Sequence, residues 1–99
     1  MLHKPDVHTT RLLALSELLA ESTNYDQNRW ESCVCAHARR LDKSLIASFG
    51  YESVGRYLGL SNIQTAKLFA EVHHPTPTRE TAAKVVRHLA LTGEVKWDV

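Results

Sequence analysis

Residues 78–93 read TRETAAKVVRHLALTG and carry the clearest helical signal in the chain. Thr78 belongs to a residue type that caps helix N-termini. Gly93 belongs to the type that ends helices at their C-termini in the left-handed conformation. Between them, one helical face collects the apolar residues Ala82, Val85, Val86 and Leu89. The stretch therefore predicts an amphipathic helix that begins after Thr78 and extends to about Leu91.

The same signals predict further helices upstream. Thr9 or Thr10 is expected to cap a first helix reaching about Ser22, and Asp26 a second helix over about 27–41. A short third helix is expected over 52–58. Ser61 and Gln64 have the spacing of a capping box and open a fourth helix to about residue 72. We predict an all-α fold: a compact bundle of four to five short helices with an apolar C-terminal tail.

The bulk properties narrow the class of protein. The 99 residues, 43% apolar and 23% charged, fit a single globular domain over 1–99, with a loose arm at 1–8 and a docked tail at 94–99. A net charge of +1 disfavours a dedicated nucleic-acid binder. No apolar run is long enough for a membrane span, and two cysteines are too few for a disulfide scaffold. We expect a cytoplasmic protein with no cofactor and no membrane partner.

The second predicted helix carries the most unusual chemistry. One face holds Trp30, Cys33, Val34, His37 and Leu41, which predicts that Cys33 is buried and that Cys35, on another face, is exposed. Cys33 and His37 at i and i+4 have the spacing of two metal ligands.

His73 and His74 are the remaining candidate metal ligands, from the loop after the fourth helix. No complete four-ligand spacing is present, so a packed Cys33/His37 pair is the favoured interpretation. No sequence pattern indicates an oxyanion hole that would serve Cys33 as a nucleophile. We therefore predict that the protein is not an enzyme.

Residues 52–70 have the outline of a helix-turn-helix, the alternative DNA-binding interpretation. Gly59 would form the turn, Gly55 would face the second helix, and Ser61 would cap it. The candidate DNA contacts are Asn62, Gln64, Lys67 and Arg56. Thr65 stands where an aliphatic residue is expected, and Lys67 is the only cation on the second helix. Two helices packed at a tight corner is therefore the favoured interpretation.

The predicted tail alternates polar and apolar residues. Val95, Trp97 and Val99 share one face and are the candidate interaction residues. The tail is expected either to dock on its own bundle or to pair with the tail of a second subunit.

Several segments together resemble a group of small proteins of actinobacteria and their phages. The matching segments are NYDQNRW at 24–30, CVCAHA at 33–38, LGLS at 58–61, TRETAA at 78–83 and RHLALTGEVKW at 87–97. Where that group has an additional Cys-Gly-Thr, this chain has Glu31 and Ser32. The group has no established activity, so the resemblance implies an accessory protein. We therefore expect a non-enzymatic protein-interaction module that binds a host protein or itself.

Overall fold

The computed structural model describes residues 6–27, 33–42, 51–70 and 76–98. These residues form five α-helices, and no strand occurs among them, which confirms the all-α prediction. The helices are α1 (Val7–Ala20), α2 (Val34–Ala38), α3 (Tyr51–Tyr57), α4 (Asn62–Thr65) and α5 (Arg79–Thr92). A 3-10 turn, Arg39–Leu41, continues α2, and a π-helical turn, Ala66–Ala70, continues α4. The Cα radius of gyration is 12.5 Å.

α1 and α5 form the frame of the bundle. They run antiparallel, since the Arg79 guanidinium at the start of α5 donates to the Ser22 carbonyl just past α1 at 2.6 Å. Midway along the pair, the buried Ser16 hydroxyl donates to the Ala83 carbonyl at 2.7 Å. Leucines of α1 and the apolar face of α5 build the core between them: Leu12, Leu15, Leu19, Ala82, Val85, Val86 and Leu89.

The ends of α5 lie where the sequence predicts them. The Thr78 hydroxyl accepts from the Thr81 N–H at 3.1 Å, and Gly93 closes the helix with φ of 79°. The start of α1 is different from the prediction. Asp6, not Thr9 or Thr10, is the N-cap, and its carboxylate accepts from the Thr9 N–H at 2.7 Å. Residues 7 and 8 therefore belong to α1, and the predicted loose arm is wrong for them.

α2 is much shorter than predicted and begins at Val34, with Cys33 as an extended N-cap. Trp30 lies outside the described residues. Gln27, expected inside this helix, is instead a buried turn residue. Its side-chain carbonyl accepts from the Val34 N–H at 3.1 Å, and its amide donates to the Leu68 carbonyl at 3.0 Å. A buried amide that bonds two separate elements fixes the position of α2 against the π turn.

Candidate functional site

α3, the turn at Gly59 and α4 form a corner with helix-turn-helix geometry. Gly59 has a backbone φ of 75°, a value that residues other than glycine rarely adopt. The Leu60 N–H donates to the Gly55 carbonyl at 2.8 Å, which closes the turn. Both halves of the predicted capping box are present, with Gln64 N–H to Ser61 Oγ at 3.1 Å and Ser61 N–H to Gln64 Oε1 at 2.8 Å.

The two helices touch closely at Gly55. A Cβ atom at this position would lie 2.4 Å from Thr65 Oγ1, so only glycine fits there without a shift. Thr65 is half-buried, and its hydroxyl donates to the Ser61 carbonyl at 2.8 Å. Because that hydroxyl has a partner, the threonine is accommodated where an aliphatic residue was expected.

The outward side of this corner is the candidate functional site. Five exposed residues make up what we call the α4 face: Asn62, Ile63, Ala66, Lys67 and Ala70. Ile63 is 70% exposed, more than Val7 at 54% or Leu91 at 64%, the other exposed large hydrophobic residues among those described. Three of the five side chains are apolar and one, Lys67, is charged, so the α4 face is partly hydrophobic with a single positive charge.

A groove of about 380 Å³ lies beside the α4 face. It is lined by Tyr51, Glu52, Asn62, Thr65, Ala66 and Ala70. The Tyr51 ring packs on Phe69, with the ring centroids 5.6 Å apart, which anchors one wall in the core. The exposed carboxylate of Glu52 pairs with Arg56 one turn later along α3. The groove therefore combines small apolar side chains, an aromatic wall and a carboxylate.

The candidate DNA contacts have different surroundings. Asn62 and Lys67 have exposed side chains, and Arg56 is exposed but paired with Glu52. The Gln64 side chain is bonded within the chain, because its Oε1 accepts from the Ser61 N–H and its Nε2 donates to the Gly93 carbonyl at 2.6 Å. A bidentate pair with adenine would have to break these bonds. The structure thus leaves Asn62 as the amide available to a partner.

The candidate metal ligands Cys33 and His37 lie in the core. Cys33 is 2% exposed and His37 is fully buried. Both nitrogens of the His37 ring have partners: Nδ1 lies 2.9 Å from the Cys33 carbonyl and Nε2 lies 2.6 Å from Ser22 Oγ. Metal binding would have to break one of these bonds. His73 and His74 lie outside the described residues, and within the described ranges no group of three metal-binding side chains occurs.

Cys35 was predicted to be exposed, and this is wrong: it is 1% exposed. The reason is that the short α2 packs against α1, α3 and the π turn, so it has no broad solvent face. Burial, and then the neighbouring Cys33, raise the pKa of the Cys35 thiol to about 12. The thiol is therefore protonated at neutral pH and poorly nucleophilic.

The candidate interaction residues of the tail contact the bundle. Val95 and Trp97 are partly buried against the core, and the Trp97 indole N–H donates to the Lys67 carbonyl at 2.8 Å. Val99 lies outside the described residues. The sequence indicated the apolar face of the tail but not its docking position, which depends on a carbonyl 30 residues earlier in the chain.

Two residues that sequence reasoning missed hold the site in place. Gln27 bonds the π turn as described above, and Arg11 of α1 bonds α3. The Arg11 guanidinium donates to the Tyr57 carbonyl at 2.8 Å and lies 3.8 Å from the centroid of the Tyr57 ring. An arginine in a predicted helix does not by itself indicate that its guanidinium contacts a distant carbonyl and an aromatic ring.

No family model, curated protein or solved structure matches this chain. Within the described ranges, no helix has the length and apolar character of a membrane span.

Proposed function

We propose that the protein is a non-enzymatic protein-interaction module that binds its partner through the α4 face and the adjoining groove. The observation that carries the proposal is Ile63, a large aliphatic side chain that is 70% exposed on α4, whereas Leu68 and Phe69 of the following π turn are buried. Apolar and aromatic groups with few charges are typical of the centre of a protein interface. A phage-encoded or prophage-derived accessory role is part of this proposal and rests on the family resemblance. A cytoplasmic location is also part of it and rests on the low number of cysteines.

The non-enzymatic part of the proposal is supported by the burial of the Cys33/His37 pair. A nucleophile that solvent does not reach is also out of reach of a substrate. The raised pKa of the Cys35 thiol makes this second cysteine a poor nucleophile as well.

Affinity capture from nuclease-treated actinobacterial lysate tests the proposal. The wild-type chain should retain a specific protein that Ile63→Glu loses by at least tenfold. Leu91→Glu is the matched control, because Leu91 is a similarly exposed aliphatic residue on α5. Equal capture by the wild type and both variants, or no captured protein, would contradict the proposal.

A DNA-binding regulator is the second candidate, favoured by the helix-turn-helix geometry of the corner at Gly55 and Gly59. Against it, phosphate binding depends on clustered cations, and the α4 face carries only Lys67. Arg56, another candidate DNA contact, is already paired with the Glu52 carboxylate. A gel-shift series at low salt separates the two candidates: tight, sequence-specific binding abolished by Asn62→Ala would favour the regulator.

A further inference from the structure

Residues 93–98, which we call the strap, are bonded to α4 and its π turn at two points. Near its beginning, the Gly93 carbonyl accepts from Gln64 Nε2 at 2.6 Å. Near its end, Trp97 Nε1 donates to the Lys67 carbonyl at 2.8 Å. Gly93 turns the chain into this path, and Val95 packs against the core between the two bonds. The strap therefore follows the helix that carries the α4 face.

The segment under the strap has an uncommon conformation. Ala66–Ala70 is a π-helical turn, a form that is rare and found mostly as single turns, often at functional sites. Two consecutive carbonyls of this turn accept side-chain hydrogen bonds from outside it. Lys67 accepts from Trp97, and Leu68 accepts from Gln27 at 3.0 Å. Contacts from two sides thus support a turn that a short helix would not hold alone.

These two supports differ in accessibility. Gln27 is 5% exposed and is part of the core, whereas Trp97 is only partly buried. Of the two supports, the strap is therefore the more accessible to solvent.

We propose that the strap is a conformational switch for α4: docked Trp97 holds 66–70 in the π form, and its release lets the turn relax to α-helical hydrogen bonding. Loss of the wide turn rotates its C-terminal end, which moves Ala70 relative to Asn62 and Ile63 on the α4 face. The conformational step is independent of any partner. Its consequence for partner binding rests on the proposed function.

Amide hydrogen exchange by NMR on the full chain, with no partner present, tests the switch. Trp97→Phe keeps a large ring but removes the indole donor, and Lys96→Ala is the control at an exposed strap position. In the Phe variant the amide hydrogens of 66–70 should exchange about two- to tenfold faster, because the loss of one net hydrogen bond changes the opening equilibrium by about that factor. Its Cα shifts in 66–70 should move toward α-helical values. α1 amides should keep their rates.

Two results would overturn the inference. Identical exchange in Trp97→Phe and Lys96→Ala would show that the strap does not hold the turn. Equal acceleration in α1 and in 66–70 would show that Trp97 contributes only to global stability. Val95→Ala, which loosens the packing but keeps the indole, gives the same readout if the Phe variant does not fold. Because no partner is involved, failure here is distinct from failure of the proposed function.

Discussion

The buried His37 ring has a hydrogen-bond partner at each nitrogen. Nδ1–H donates to the Cys33 carbonyl, and Nε2 lies 2.6 Å from Ser22 Oγ, which itself lies 3.0 Å from Asn24 Oδ1. Burial lowers the pKa of His37, and Arg40 lowers it further, while the bond to Cys33 opposes both. The native state therefore resists protonation more than the unfolded chain does.

This difference predicts how stability depends on pH. The unfolded state binds the proton first, so stability is full above about pH 6.5 and falls as the pH drops through that value toward the native pKa. Urea melts at pH 7.5 and 5.0 should show the loss, and His37→Gln should reduce it. An equal pH dependence in wild type and His37→Gln would contradict the account.

The burial of both cysteines predicts that their thiols are unreactive in the native protein. Cys33 and Cys35 are 2% and 1% exposed, so a thiol reagent should label neither in the native protein within minutes. Both should react on unfolding in guanidinium. Rapid stoichiometric labelling of the native chain would mean that α2 is not packed as described.

Two glycines in left-handed conformations allow a matched test at the scale of the elements. Gly59 at 75° ends α3, and a Cβ there would lie 2.4 Å from the His8 ring; Gly93 at 79° ends α5 and has open space around it. Gly93→Ala should cost about 1 kcal/mol for the backbone conformation alone. Gly59→Ala should cost roughly 1–3 kcal/mol more, for the added overlap. Chemical denaturation measures both.

The double variant Gly59→Ala/His8→Ala checks the cause of the extra cost. Removing the imidazole should bring the destabilisation close to that of Gly93→Ala. An unrelieved loss would show that the contact between α1 and the corner is not responsible.

The helix ends that the sequence predicted correctly are set by local hydrogen bonds. The caps at Thr78, Ser61 and Gly93 depend on bonds within four residues, so residue type and spacing were enough. α2 was predicted too long because its limits depend on long-range contacts. Gln27 turns away from the helix to bond Val34 and Leu68, a choice that tertiary packing imposes over the helical pattern.

The arrangement of the whole molecule follows from pairs that are distant along the chain. Ser16 and Ala83, 67 positions apart, join α1 to α5, and Arg11 and Tyr57, 46 positions apart, join α1 to the corner. Sequence patterns identified the buried faces of α1 and α5 but not these partners. They likewise identified Asn62 and Gln64 as candidate contacts, whereas the bond from Gln64 to the Gly93 carbonyl emerges only once α5 is placed beside α4.

Site-specific photocrosslinking tests the proposal that the α4 face contacts a protein. A photoreactive amino acid replaces Ile63 in one variant and Leu91 in the other, and both are irradiated in actinobacterial lysate. We predict an adduct from position 63 that protease destroys and nuclease leaves intact, with at most one-tenth as much from position 91. A nuclease-sensitive adduct at 63, or equal adducts from both positions, would contradict the claim.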